Sequence, residues 1–346
     1  MLAAGISTSV LSTAWGQQLY QTHSDGSIWQ YTGTPCKGAS CPGWIELDNN
    51  PNLSMIAAGG GALFEMHKDG SIWRYTGPAC SGGFCPGWAE LDNNPAAVAI
   101  GVGDNGVGYE VHGDDGSLWV STGEPCAGGY CPGWVELQTN AFGGNSDGYP
   151  HYCTNGPILV WQNLVGEFDV SGNLSLFGGT IDSWTGIDPS AEYCAVTANS
   201  LYEVESGGAI RQYTGSPITY DWLTIDQNVL TEGIAAGGAG VYQQRLVERT
   251  GYYTTWQYTG TPCIGTKCPG WVKIDNHPYT GMPAVGSNSV YQLRMPPGKV
   301  TIWQYTGTPC KANVCSGWVQ LDDNPTTTSI VAGPVTFPAY PIQAGF

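Results

Sequence analysis

The sequence predicts an all-β protein, a disulfide-rich, seven-bladed β-propeller built from four-stranded antiparallel blades. Two observations predict this fold class. The chain of 346 residues contains 51 Gly and 23 Pro, whereas only 11 % of its residues are charged, which favours short strands and tight turns over helices. The chain also repeats itself with a period of about 40 to 50 residues, the usual length of a propeller blade.

Five segments repeat nearly the same sequence. Each contains a short stretch with Trp, a Thr-Gly turn, two cysteines separated by four residues, and a final Gly-Trp; the segments span residues 25–51, 69–95, 115–140, 254–278 and 301–325. A unit of this size cannot bury a hydrophobic core alone, so it must stack on its neighbours. The repeat therefore predicts one domain and not several.

The final Trp occurs in seven places, each time followed three residues later by Leu or Ile: Trp44, Trp88, Trp134, Trp184, Trp222, Trp271 and Trp318. Its spacing of 38 to 50 residues predicts blades at about 1–51, 52–95, 96–140, 141–189, 190–228, 229–278 and 279–327, with residues 328–346 closing the ring. Blades four and five are degenerate, because they lack the earlier Trp and the local cysteine pair.

The twelve cysteines predict six disulfides. Ten form local pairs, and the remaining two are about one repeat apart: Cys36/Cys41, Cys80/Cys85, Cys126/Cys131, Cys263/Cys268, Cys310/Cys315 and Cys153/Cys194. Zinc binding is the alternative, but each local pair lacks a second pair or a His at ligand spacing. We therefore expect no metal and no cofactor, and an oxidising compartment, which means a secreted, extracellular protein.

The net charge of −17 arises from only 11 Lys and Arg residues. A surface with so few cations repels a phosphate backbone and an anionic membrane, so we expect no nucleic-acid partner. The chain also lacks an apolar stretch of about 20 residues, which excludes insertion as a membrane-spanning helix. We expect a monomer.

Several short motifs of the second repeat resemble the tachylectin-2 and tectonin type of β-propeller lectin. They are Ala57 to Gly60, Leu63-Phe64, His67 to Gly70, Ser71 to Gly77, and Trp88 with Leu91 to Pro95. The resemblance implies a secreted lectin with several non-covalent sugar pockets between neighbouring blades, whose partners are glycans or polysaccharide surfaces. The chain differs from that family in its seven units and in the disulfide of each intact repeat.

The repeats supply side chains that suit carbohydrate. Sugar hydroxyls need planar donors and acceptors, and sugar C–H faces stack on aromatic rings. The candidate sugar ligands are Trp29, Trp73, Trp119, Trp256, Trp303, His23, His67, Asp25, Asp69, Asn49, Asn93 and Arg74. Each also has a structural alternative, such as a hairpin turn at Asp25 and Asp69. We expect the turns with His and Asp on one face of the ring and the cysteine loops on the opposite face.

Two other functions remain open. A polysaccharide lyase or glycoside hydrolase needs an acid and a base that occur once, and blades four and five offer such groups: Glu167, Asp169, Asp182, Glu192, Glu203, Glu205 and Arg211. No nucleophile motif, zinc-binding His pair or phosphate loop supports catalysis, so we expect no enzyme. The other alternative is a propeller that serves as a protein-binding scaffold.

Overall fold

The computed structural model describes residues 18–103, 105–139, 152–153, 158–161, 164–168, 174–177, 184–188, 191–197, 199–214, 221–248, 250–333 and 335–336. Of the residues described between 152 and 187, and of residues 335–336, only the backbone is described. The next described side chain after residue 152 is that of Asp188. All elements of these ranges are β-strands. Within them, no helix is long and apolar enough to cross a membrane.

The strands are short and follow the repeat. In chain order they are β1 (Leu19–His23), β2 (Ile28–Tyr31), β3 (Trp44–Asp48), β4 (Leu53–Gly59), β5 (Ala62–His67), β6 (Ile72–Tyr75), β7 (Trp88–Asp92), β8 (Ala97–Val102), β9 (Gly108–His112), β10 (Leu118–Ser121), β11 (Trp134–Gln138), β12 (Tyr152–Cys153), β13 (Ile158–Trp161), β14 (Leu164–Phe168), β15 (Leu174–Phe177) and β16 (Trp184–Asp188). They continue with β17 (Ala191–Thr197), β18 (Ser200–Glu205), β19 (Ile210–Tyr213), β20 (Trp222–Asp226), β21 (Thr231–Gly237), β22 (Gly240–Val247), β23 (Tyr252–Tyr258), β24 (Trp271–Asp275), β25 (Ala284–Val285), β26 (Val290–Arg294), β27 (Thr301–Tyr305), β28 (Trp318–Asp322), β29 (Thr327–Ala332) and β30 (Val335–Thr336).

Consecutive strands pair into sheets in the order β29-β1-β2-β3, β30-β4-β5-β6-β7, β8-β9-β10-β11, β13-β14-β15-β16, β12-β17-β18-β19-β20, β21-β22-β23-β24 and β25-β26-β27-β28. The first sheet takes its innermost strand from the far end of the chain, since β29 pairs antiparallel with β1. β29 also contacts β4 on one side and β25 on the other, so the sheets close into a propeller.

The predicted all-β propeller of four-stranded antiparallel blades with disulfides is confirmed, but the predicted number of seven blades is wrong. Six blades, not seven, have four strands with described side chains, because the sheet of β13 to β16 is described almost entirely by its backbone. Two of the six also have a fifth strand. β12 is parallel to β17, and β30 is antiparallel to β4. These additions arise where the chain crosses between blades or returns after closing the ring.

The blades pack through strands that are buried on both faces. Every residue of β5 is buried, and one hydrophobic cluster combines Leu47 of the first blade with Ile56 and Leu63 of the second. A tryptophan that opens a fourth strand also joins two blades at five junctions. The Trp88 indole N–H donates to the Leu47 carbonyl at 2.9 Å. Trp44, Trp134, Trp271 and Trp318 bond the preceding blade in the same way.

The five local disulfides are confirmed: Cys36–Cys41, Cys80–Cys85, Cys126–Cys131, Cys263–Cys268 and Cys310–Cys315. For the sixth predicted pair, Cys194 is disulfide-bonded, and the backbone register of β12 and β17 places Cys153 opposite it. The Cys153 side chain lies outside the described residues.

Candidate functional site

The junctions between neighbouring blades contain buried polar side chains, which we call seam clusters. Each consists of the Asp that ends one blade and two side chains, two residues apart, on the second strand of the next blade. Residues two apart on a strand point to the same face. The six described seam clusters are Asp322/Gln21/His23, Asp48/Glu65/His67, Asp92/Glu110/His112, Asp188/Glu203/Glu205, Asp226/Gln243/Arg245 and Asp275/Gln292/Arg294.

Hydrogen bonds determine the tautomer of His67. The Ser71 hydroxyl donates to Asp69 Oδ1 at 2.8 Å, and Ser71 Oγ accepts from the Trp73 indole N–H at 3.2 Å. The 3.1 Å contact between Ser71 Oγ and His67 Nδ1 must therefore use a proton on Nδ1, since a hydroxyl has one hydrogen. His67 Nε2 consequently faces the interior of the seam cluster, 3.1 Å from Glu65 Oε1.

The acidity of these groups follows from their surroundings. Burial, reinforced by the nearby Asp48 charge, raises the pKa of Glu65 to about 7, and burial does the same for Glu110. Burial disfavours a charge on His67, but the hydrogen bond and charge of Glu65 outweigh it and raise the pKa of His67. At His23, where Gln21 replaces the glutamate, burial dominates and lowers the pKa.

Arginine replaces histidine in the sheet of β21 to β24 and in the sheet of β25 to β28. The Arg245 Cζ atom lies 4.4 Å from the centre of the Trp256 ring, and Arg245 Nη2 lies 3.1 Å from Asp226 Oδ2. Arg294 lies over Trp303 at 4.6 Å and bonds Asp275 at 2.8 Å. Each guanidinium therefore combines an ion pair with a cation–π contact.

The fifth blade has a different arrangement. Arg211 stands where other blades have the third-strand tryptophan, because it pairs in register with Glu203. Its guanidinium contacts Asp188, Glu203 and Glu205. Of these carboxylates, Glu203 and Glu205 were candidates for catalysis; the side chain of Glu167 and the residues Asp169 and Asp182 lie outside the described part of the chain.

The predicted sugar ligands do not meet in one pocket. His23 and His67 are buried and lie against Trp29 and Trp73, with ring centroids 5.7 and 5.9 Å apart. The third-strand tryptophans are half-buried, and each donates its indole N–H to the hydroxyl of a Ser or Thr in the same blade. They are Trp29, Trp73, Trp119, Trp256 and Trp303.

The remaining predicted ligands lie nearer the surface. Asp25 and Asp69 are exposed and accept the backbone N–H of Ser27 and Ser71, which is the role of a turn residue. The half-buried Arg74 lies 5.8 Å from the centre of the Phe64 ring.

Asn49 and Asn93 are exposed, and each donates its side-chain amide to a carbonyl of the next blade's cysteine loop, Gly83 or Gly129, at 3.1 Å. The sequence predicts that these loops lie apart on the opposite face of the ring, and this prediction is wrong. They fold along the edge strand of the preceding blade, where the Cys80 N–H donates to the Glu46 carbonyl at 3.0 Å.

These loops, here called the disulfide hairpins, were not recognised from the sequence as a binding surface. In the second, the disulfide encloses a β-bridge in which Ser81 and Phe84 exchange both backbone hydrogen bonds. Four of the five expose a large apolar side chain, between 68 and 76 % accessible: Phe84, Tyr130, Ile264 and Val314. The sequence signal was available, because each residue adjoins a cysteine inside the pair.

No family model and no curated protein matches this chain. Among solved structures, it is similar to the Cps50 (Swd1) β-propeller domain of Myceliophteria thermophila, with 12 % identity over 84 % of this chain and 94 % of that chain and a TM-score of 0.48. It is also similar to the computationally designed Ika8 protein, with 14 % identity over 94 % of both chains and a TM-score of 0.47. The WD40 β propeller domain of Doa1 matches with 12 % identity over 88 % of both chains and a TM-score of 0.43. Similarities this distant carry no argument about function.

Proposed function

We propose that this protein is a secreted binding propeller that recognises a protein partner through the apolar side chains of its disulfide hairpins. The observation that carries the proposal is the repeated exposure of Phe84, Tyr130, Ile264 and Val314. Apolar side chains scattered singly over a surface are ordinary, but each of these four adjoins a cysteine of its hairpin.

The hairpins are suited to binding because they are held before a partner arrives. A disulfide, a β-bridge and a backbone bond to the preceding blade restrain each one, as at Cys80 and Phe84. Association then orders few groups, which lowers the entropic cost of binding. Several hairpins on one ring also permit multivalent attachment.

The mixture of side chains favours protein over sugar as the ligand. Ile264 and Val314 have no flat ring on which a sugar face could stack, whereas aliphatic and aromatic side chains alike fill pockets on a protein. In addition, His23 and His67 are buried and hydrogen-bonded to Ser27 and Ser71, which leaves them little capacity for sugar hydroxyls.

A lectin is the second candidate function. It is favoured by the five half-buried tryptophans, Trp29, Trp73, Trp119, Trp256 and Trp303, which recur once in each intact blade and retain some exposed ring surface. In this case sugars would stack on those rings, with Asp25, Asp69 and Arg74 as polar neighbours.

The test compares one multiple variant with a matched control. Phe84→Ser, Tyr130→Ser, Ile264→Ser and Val314→Ser are combined, and Val229→Ser, equally exposed at 76 % but outside the hairpins, serves as the control. Proteins retained by the wild type from extracellular fluid are identified, purified and titrated. We expect a loss of affinity of at least about tenfold for the hairpin variant alone, since truncating an interface anchor costs more than about 1 kcal/mol.

A glycan array with the same proteins distinguishes the second candidate. Sugar binding that survives in the hairpin variant, and is lost when Trp73 and Trp119 are replaced by Ala, would contradict the protein-binding proposal and support the lectin. Unchanged affinity of the hairpin variant for every purified protein partner would also contradict it.

A further inference from the structure

We propose that two seam clusters, Asp48/Glu65/His67 and Asp92/Glu110/His112, each bind one divalent transition-metal ion, for which Zn²⁺ is the probe. In both clusters, one ligand atom from each of the three residues lies within 4.8 Å of the others, and all three residues are buried. Two carboxylates and one imidazole suit zinc and its neighbours in the first transition row.

The first supporting observation is an unsatisfied oxygen. Glu65 is 2 % exposed and Glu110 is 1 % exposed, yet Oε2 of each is buried without a hydrogen-bond partner. A buried carboxylate needs a counter-charge or a full set of donors, because removing it from water otherwise costs several kcal/mol. A cation between the carboxylates of Glu65 and Asp48 would supply the missing partner.

The second observation is a difference in charge between junctions. In the two arginine clusters, Asp226 and Asp275 each face one guanidinium beside a neutral glutamine. In the Asp188 cluster, Arg211 contacts all three carboxylates. The two glutamate–histidine clusters have no guanidinium at the corresponding position, so two carboxylates face a single imidazole.

The third observation is the orientation of the imidazole. His67 donates from Nδ1 to Ser71, which places Nε2 toward Glu65 Oε1 at 3.1 Å and the Asn50 amide at 3.2 Å. Metal binding at Nε2 would displace any proton there. Histidines that bind metals are normally oriented by a hydrogen bond from the other ring nitrogen. His112 has the same contacts with Ser117, Glu110 and Asn94. A bound ion would replace the Asn50 or Asn94 contact.

The chain contains its own reference cluster. In the Asp322/Gln21/His23 junction the histidine is again bonded to a serine through Nδ1, but a neutral glutamine replaces the glutamate. This junction lacks the second carboxylate, so we expect no ion there. The glutamine also shows that the fold accepts Gln at this position, as do Gln243 and Gln292 in the arginine clusters.

The experiment titrates chelator-treated, tag-free protein with Zn²⁺ by calorimetry near neutral pH, with Co²⁺ absorption as a spectroscopic measure of coordination. We expect two ions per chain for the wild type and none for Glu65→Gln/Glu110→Gln. Glu46→Gln, the same substitution on a half-buried carboxylate outside the clusters, should still bind two. Gln21→Glu should bind three. Circular dichroism without metal establishes that each variant is folded.

Thermal unfolding provides a second measurement, since an ion that binds only the folded state raises the melting temperature. Zn²⁺ should stabilise the wild type and not the double variant. Equal stoichiometry in the wild type and the folded Glu65→Gln/Glu110→Gln variant would overturn the proposal. So would a wild type that binds less than one ion per chain, which would indicate that a shared proton serves as the counter-charge in both clusters.

Discussion

Replacement of Glu203 by Gln should remove a loss of stability that the wild type suffers as the pH rises from about 5 to 8. Glu203 is completely buried beside Arg211 and Asp188. Burial, followed by the Asp188 charge, raises the pKa of Glu203 from 4.5 to about 8. The folded protein therefore keeps a proton on Glu203 over a pH range in which the unfolded chain has released it.

The sign follows from linkage, because stability falls with pH wherever the folded state binds more protons than the unfolded state. The loss begins near the unfolded pKa of 4.5 and continues until the pH passes the folded pKa of about 8. It amounts to roughly 1.4 kcal/mol per pH unit, or on the order of 5 kcal/mol in all. Gln does not titrate, so the stability of Glu203→Gln relative to the wild type should increase with pH over this range.

The assay is urea unfolding followed by tryptophan fluorescence at pH 5, 6, 7 and 8, with a chelator present so that bound metal does not contribute. Glu90→Gln, on a half-buried carboxylate of the second blade, controls for the removal of one charge from an acidic chain. If the unfolding free energies of the wild type and Glu203→Gln run parallel from pH 5 to 8, the reasoning is refuted.

Three further predictions concern the blades. Trp88→Phe should lower the free energy of unfolding in urea by about 1–3 kcal/mol, because it leaves the Leu47 carbonyl without its donor at 2.9 Å. An unchanged free energy of unfolding would contradict the role of this bond. Replacing Cys80 and Cys85 by serine should lower the free energy of unfolding by about 2 kcal/mol. Replacing Cys36 and Cys41 should lower it by the same amount, since both loops have equal length. Unequal losses in differential scanning calorimetry would contradict this prediction. Gly270→Ala should lower the melting temperature severely, because its methyl group would lie 2.0 Å from the Thr261 carbonyl oxygen and 2.8 Å from the Tyr258 ring. Gly265→Ala, with open space around it but a φ of +60°, should lose only about 1–2 kcal/mol.

Much of the fold was predictable because its strongest determinants repeat. The tryptophan of each fourth strand recurs with the blade period, and in the intact repeats its indole N–H bonds the preceding blade. β12 and β30 were not predictable. Each has two residues, which is too short for any alternating pattern, and their pairing depends on where the chain crosses between blades.

The seam clusters were only partly predictable. His67 looked like a surface residue because it precedes an Asp-Gly turn. Its burial becomes visible only when Glu65, two residues earlier, is assigned to the same face of β5, opposite Trp73 in the next strand. The partner from the preceding blade, Asp48, is also required, and contacts across a blade junction depend on how the sheets stack.

The two residues on each second strand differ between junctions. Glu65 and Glu110 accompany histidine, Gln21 also accompanies a histidine, and Gln243 and Gln292 accompany arginine. In the fifth blade, two glutamates accompany Arg211 on the adjacent strand. Each combination places one basic side chain near the Asp of the preceding blade, where a buried carboxylate needs a partner. The polar residues of the seam clusters are thus engaged in contacts between blades. The exposed apolar residues of the disulfide hairpins have no such role inside the ring, which supports assigning recognition of another protein to the hairpins.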